Sequence, residues 1–242
     1  MDSLALPERR AFLSARWERL CLVTYAVNPD RLQAYLHPEL ELDTIDGQAF
    51  VSLVAFDFLD TRVMGVPWPG YRHFPEVNLR FYVRHGDRRG VVFIREYVPK
   101  KLIAWIARGL YNEPYVAAPM TSRWSETDEG GEIRHELIRQ GRVQSLEMSL
   151  GAEAGTPNED SLAHFFKEHS WGFGQSRRGK LLRYQVWHPV WQTRTVKRLS
   201  LEWDFESVYG AEWADLTEME PFHVSFALGS EIRVYPKAVL AP

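Results

Sequence analysis

Of the 29 basic residues in this chain of 242, only six are lysines, and two of these, Lys100 and Lys101, stand side by side behind Pro99. The pair closes an apolar, strand-like run from Val91 to Val98. It opens a run of helical period that contains Leu102, Ile103, Trp105, Ile106 and Leu110. Cations are disfavoured at a helix N-terminus, where unpaired backbone amides already carry positive partial charge. A neighbouring ammonium, a helix N-terminus and burial each disfavour a protonated amine, so all three lower a lysine pKa. A neutral amine so placed can attack a ketone carbon and form a Schiff base. The iminium then takes up the electron pair released when a carbon–carbon bond breaks. Lys100 is the expected nucleophile, and Lys101 the group that depresses its pKa.

Other chemistries lack their residues. There is no Gly-x-Gly-x-x-Gly, no phosphate-binding Gly-Lys-Ser/Thr loop and no Gly-x-Ser-x-Gly elbow. Cys21 is the only cysteine, which excludes an intrachain disulfide and a cysteine-built zinc site. The eight histidines are scattered, and His164 and His169, five apart, read as surface or rim residues. Neither a metal nor an organic cofactor is expected. The 29 basic residues against 32 acidic ones give a formal charge of −3, with no basic excess to favour nucleic acid or an anionic membrane. No window approaches the roughly 18 uninterrupted apolar residues of a membrane span. Met1 to Arg10 lacks the apolar run of a secretory signal, so a cytoplasmic location is expected.

The elements that must position the lysines are mostly strands. Leu20 to Val27 is rich in β-branched and aromatic residues and ends at Asn28-Pro29, which opens a short helix carrying Leu32, Tyr35 and Leu36. Leu40 to Thr44, a turn at Asp46-Gly47 and a strand from Gln48 to about Leu59 follow. Met64 to Pro75 is a loop dense in proline, glycine and aromatics. Glu76 to Arg84 and Val91 to Val98 form a hairpin, and a helix runs from Lys101 to Tyr111. Further strands are expected over 115–124, 133–138 and 143–149. Thr156-Pro157-Asn158-Glu159 is a capping box for a helix reaching His169. The remainder reads as strands over 180–187, 194–205, 222–228 and 231–235. This pattern predicts a closed or nearly closed antiparallel barrel or sandwich, with no linker to divide it. Most of the nine tryptophans belong to its interior. The Trp68 loop, with Tyr71, and the segment from Trp187 to Trp191 are the places where an aromatic could meet a ligand.

The chain resembles the YqjF-like family of uncharacterised bacterial proteins. The resemblance is carried by Asn28-Pro29-Asp30-Arg31-Leu32, by His37 to Gly47, by Phe74-Pro75-Glu76-Val77-Asn78-Leu79-Arg80, by Leu110 to Tyr115, by Ser161 to Phe166 and by His188-Pro189-Val190-Trp191. It implies a mainly β, α+β fold with a few short helices: an acetoacetate-decarboxylase-like antiparallel β-barrel covering 1–242 as a single domain. The shared Arg95-Glu96 before Pro99-Lys100-Lys101 extends the likeness to acetoacetate decarboxylase itself. That implies a Schiff base on Lys100, with Lys101 as its neighbour and Glu76 as an active-site carboxylate relaying protons. The enzyme's first-strand arginine falls at Glu18 here, and Arg16, two residues away on the same strand face, is the expected substitute for binding a carboxylate. The interval before the lysine pair is one residue shorter, which reverses side-chain direction unless a bulge absorbs it.

Two functions follow as expectations. One is a cofactor-independent Schiff-base lyase, decarboxylase-like, acting on a small keto acid or related carbonyl compound. Here Lys100, Lys101 and Glu76 are catalytic, and Arg16, Trp68 and Tyr71 bind substrate. The other is a non-catalytic β-barrel that holds a hydrophobic small molecule. A homo-oligomer fits either.

Overall fold

Strands β1 (Leu13–Val27), β2 (Glu41–Leu42), β3 (Ala49–Val63), β4 (Val66–Pro67), β5 (Phe74–His85) and β6 (Arg88–Val98) precede helix α1 (Lys101–Leu110). β7 (Tyr115–Ala117), β8 (Met120–Thr127), β9 (Gly130–Arg139) and β10 (Arg142–Gly155) lead to α2 (Leu162–Lys167). β11 (Trp171–Gln175), β12 (Leu181–Trp187) and β13 (Thr193–Glu202) lead to α3 (Phe205–Tyr209), and β14 (His223–Val234) and β15 (Ala238–Val239) follow. The computed structural model describes residues 10–110 and 112–240. The reading of Met1 to Arg9 and the helix end at Tyr111 therefore lie outside the described residues. No helix among the described residues is long and apolar enough to cross a membrane.

The strands belong to one hydrogen-bonded sheet of order β15-β12-β11-β6-β5-β3-β1-β14-β13-β10-β9-β8, with β2, β4 and β7 on its margins. β12 also pairs back onto β14 through Val186↔Val234 and Trp187↔Arg233. That contact joins β14, β1, β3, β5, β6, β11 and β12 into a ring. Pairing is antiparallel except where β6 meets β11 and β7. The architecture is mainly β with a few short helices, as the sequence predicts.

β1, β3 and β5 are covered on both faces, which is why Phe50 to Phe58 is apolar almost without alternation. One face packs Val23, Tyr25, Leu53 and Phe81 against Leu146 and Met148 of β10 and against Phe205, Tyr209 and Trp213. The other turns Leu20, Leu22, Val54, Phe56 and Phe58 toward the inside of the ring. On β1 the inward residues are Ala15 and Trp17, then Leu20 and Leu22, a change of parity that needs an extra residue. A register shift between Glu18 and Cys21 supplies it, with Arg19 at φ 59°. Across the ladder Gly229 has φ +87°, and a Cβ there would lie 1.9 Å from the Trp17 carbonyl oxygen, so glycine is required. This irregular glycine makes β14 read as two strands in sequence although it forms one.

Other boundaries moved for local reasons. The helix expected after Asn28 is a single 3-10 turn, Pro29–Leu32, in which the Asn28 side chain accepts from the Asp30 amide at 2.9 Å. The helix expected from Thr156 starts after Ser161, because the Asn158 carbonyl accepts from Ser161 and the Ser161 hydroxyl then caps the His164 amide at 3.2 Å. β7 and β8 replace one expected strand, divided at Pro119. The strand expected over 194–205 stops at Glu202, and α3 and a 3-10 turn, Ala211–Thr217, follow it. Asp204 starts α3 by accepting from the Ser207 amide at 3.0 Å.

Candidate functional site

Inside the ring lies a cavity of about 190 Å³. Its walls are mostly aromatic and aliphatic: Trp17, Phe56, Phe58, Phe74 and Phe93 from the strands, and Leu102, Ile103 and Ile106 from α1. Polar groups enter from a few positions. β5 alternates, so Val77, Leu79 and Phe81 enter the closed core while Glu76, Asn78 and Arg80 reach the cavity. On β6 the inward residues change from Val91 and Phe93 to Glu96. A bulge opposite Leu79 and Arg80 produces this switch. β7 lies parallel to β6 with Tyr115 beside Glu96, and β12 adds Tyr184.

These groups form a buried carboxyl–tyrosine cluster. Glu76, only 2% exposed, accepts from the Tyr115 hydroxyl at 2.9 Å and from Asn78 Nδ2 at 3.1 Å. Tyr184 hydrogen-bonds Glu113, which is buried behind the wall. Glu96 Oε2 and Glu113 Oε1 have no hydrogen-bond partner. Burial pushes the Glu76 carboxyl up to about 7, against the opposing pull of Tyr115, Asn78 and the Arg80 charge. Burial and the neighbouring Glu76 raise Glu113 to about 8. Glu96 is raised well above the usual range by burial and by both other carboxylates. The Tyr115 and Tyr184 hydroxyls are pushed up by burial and the same carboxylates, so both stay protonated. At neutral pH the cluster can therefore hold Glu76 ionised while Glu96 remains an acid.

His169 also lines the cavity, 3.7 Å from Asp43, and burial lowers its pKa to about 4, leaving a neutral imidazole. Among the described residues no group of three or more His, Cys, Asp or Glu side chains could hold a metal ion.

The structure brings three of the six expected site residues to this cavity: Glu76, Trp68 and Tyr71. It places the other three elsewhere. Lys100 and Lys101 are exposed and do not line the cavity. Continued alternation from Glu96 and Val98 would turn Lys100 inward, but Pro99 ends the ladder. The Lys100 carbonyl then accepts the Ala104 amide and starts α1. Arg16 is 48% exposed and pairs with Glu18 on its own strand at 2.7 Å, while Trp17 beside it points inward. Trp191 is buried, stacked on His188 at 3.9 Å, rather than presented to a ligand. His169, read as a rim residue, is part of the wall. Glu96, Tyr115, Tyr184, Arg80 and His169 were missed as cavity residues. Only the alternation Glu76-x-Asn78-x-Arg80 signals any of them, and such a pattern ordinarily marks a solvent face.

Gly172 gives Tyr184 its room, since a Cβ there would lie 2.1 Å from the Tyr184 ring. Gly172→Ala is expected to displace Tyr184 and to cost about 1–3 kcal/mol by overpacking. Urea denaturation measures the loss, and an unchanged midpoint would contradict the close contact.

A family model described as "Uncharacterized conserved protein", DUF2071, matches residues 14–231. The "Uncharacterized protein YqjF" of Bacillus subtilis (strain 168) is 24% identical over 235 residues, covering 97% of this chain and 95% of that protein. Among solved structures, an acetoacetate decarboxylase-like enzyme from Sphingomonas wittichii RW1 superposes with a TM-score of 0.67 at 17% identity, covering 96% of this chain and 94% of that one. The enduracididine biosynthesis enzyme MppR, complexed with pyruvate, gives 0.67 at 14% identity, covering 99% and 93%. Acetoacetate decarboxylase from Legionella pneumophila gives 0.63 at 15% identity, covering 99% and 94%. At these identities the likeness establishes the fold.

Proposed function

Because the chain belongs to the DUF2071 family of uncharacterized conserved proteins and has an acetoacetate-decarboxylase-like fold, we propose that its cavity takes up a small, mainly apolar carbonyl compound and exchanges protons with it at Glu76. One observation carries this reading: a buried carboxyl on an apolar wall, oriented by Tyr115 and Asn78 and poised near 7. In the step proposed, a proton on the carbon next to the carbonyl passes to the Glu76 carboxylate. The C–H electron pair becomes the carbon–carbon double bond, and the carbonyl π pair moves to oxygen, which accepts a hydrogen bond from the Glu96 carboxylic acid. Reversal returns a proton from solvent.

Proton exchange of 2-hexanone in deuterium oxide, followed by NMR, tests this function. The chain is expected to speed deuteration beside the carbonyl, and Glu76→Gln to slow it about 100-fold. No acceleration over buffer, or full activity in Glu76→Gln, would overturn it.

The Schiff-base reading has one observation in its favour: α1, which begins at the lysine pair, gives Leu102, Ile103 and Ile106 to the cavity wall. It requires the first turn of α1 to rotate so that Lys100 enters. Proteins of similar fold include an acetoacetate decarboxylase and MppR complexed with the condensation product of pyruvate and imidazole 4-carboxaldehyde. Incubation with acetoacetate or pyruvate, borohydride reduction and peptide mass mapping separate the two readings. An adduct at Lys100 that is lost in Lys100→Ala would replace the Glu76 reading.

A further inference from the structure

Arg80 reaches the cavity from β5 without a carboxylate partner. Its Nη2 donates one hydrogen bond, to the Phe166 carbonyl at 3.1 Å, its Nε has none, and it makes no ion pair among the described residues. Two other arginines hold buried carboxylates: Arg89 holds Asp43 at 2.6 Å and Arg19 holds Asp57 at 2.9 Å. An uncompensated guanidinium beside apolar walls is costly, and an anion in the cavity removes that cost. Glu76 feels the Arg80 charge, but its oxygens are held by Tyr115 and Asn78 and it makes no ion pair with Arg80. His169 stands on the same wall, and neither ring nitrogen has a hydrogen-bond partner. Nε2 faces Asp43 at 3.7 Å and the ring packs on Tyr82 at 4.8 Å. The Tyr82 ring also lies 5.9 Å from the Arg80 guanidinium carbon, so the cavity contains a cation that has a carbonyl and a ring beside it but no carboxylate.

We propose that Arg80 forms an anion subsite within the cavity, and that the compound admitted is a monocarboxylate with an apolar body whose carboxylate docks on Arg80. The inference rests on the reading of the cavity as a carbonyl-ligand site and narrows its substrate class. A guanidinium that stabilises the bound carboxylate stabilises the ground state for loss of carbon dioxide, so the carboxylate is retained while a proton exchanges at carbon.

Isothermal titration of the full chain with hexanoate, hexanamide and 2-hexanone tests the subsite. Hexanoate is expected to bind at least 10-fold more tightly than hexanamide. Arg80→Gln, which keeps a donor for the Phe166 carbonyl, should remove that preference and change 2-hexanone affinity less than 2-fold. Arg80→Lys should restore part of it. Equal binding of hexanoate and hexanamide, with 2-hexanone still bound, overturns the anion subsite and leaves the carbonyl-ligand reading standing. A parallel loss of all three ligands in an Arg80→Gln variant that keeps the parent's circular dichroism and melting point overturns the subsite as well. Failure of all three to bind the parent chain overturns both.

Discussion

Raising the pH from 6.5 to 8.5 is expected to destabilise the folded chain by about 2–5 kcal/mol, each proton held only by the folded state contributing about 1.4 kcal/mol per pH unit. Glu76 is raised to about 7 and Glu113 to about 8, and Glu96 is raised further, from ordinary values of 4.5. The folded state therefore keeps protons that the unfolded chain has released. The stability linked to these groups is fully present below the unfolded value and is lost as the pH rises through 7 and 8. His135, His169, His188 and His223, whose pKa values are lowered by burial, act in the opposite sense as the pH falls through 6.5. Across the window they offset only about 1–2 kcal/mol of the larger carboxyl effect. Urea denaturation at the two pH values measures the effect, and Glu113→Gln should flatten it. Stability that is level or rising across the window would contradict a carboxyl cluster held protonated by burial.

Trp213→Ala is expected to cost about 3–5 kcal/mol, the range for emptying a large buried aromatic site. Trp213 is fully buried, packs on Tyr35 with ring centroids 6.0 Å apart, and carries the Arg31 guanidinium at 4.3 Å. It belongs to the closed face of β1, β3 and β5, away from the cavity. Trp105→Ala, at a residue 72% exposed on α1, should change stability by no more than about 0.5 kcal/mol. Denaturant titration compares the two. If Trp213→Ala were as mild as Trp105→Ala, the closed face would not be the stable side of the fold. A folded Trp213→Ala chain should still bind 2-hexanone within about 2-fold of the parent, because distant sites act independently.

The strands, their mainly antiparallel pairing and the family likeness were legible because apolar runs and turn residues are local signals. The direction of side chains at the site was not, because it depends on bulges. Arg19 at positive φ keeps Trp17 and Leu20 on one face, and the β6 bulge turns Glu96 inward. Each adds one residue, and neither has a glycine at the bulge itself to announce it. The lysine pair drew attention by rarity and by a broken helix rule. Pro99 supplies the physical reason for its exposure, since it ends the ladder one step before Lys100 would have faced the cavity. Glu76 was legible through the family likeness, whereas Arg80 and His169 resemble surface residues until the ring closes around them.

The central claim is that a carbonyl compound meets Glu76 inside the ring and does not form a covalent bond with the lysine pair. A crystal structure of the chain soaked with 2-hexanone and then treated with cyanoborohydride, which at neutral pH reduces an iminium and spares a ketone, is the decisive measurement. The expected result is an unmodified ketone in the cavity, its carbonyl end within hydrogen-bond reach of Glu76 or Glu96, with Lys100 and Lys101 free of adduct. A reduced alkyl group on Lys100 Nζ, or an empty cavity with the ketone bound elsewhere, would contradict it.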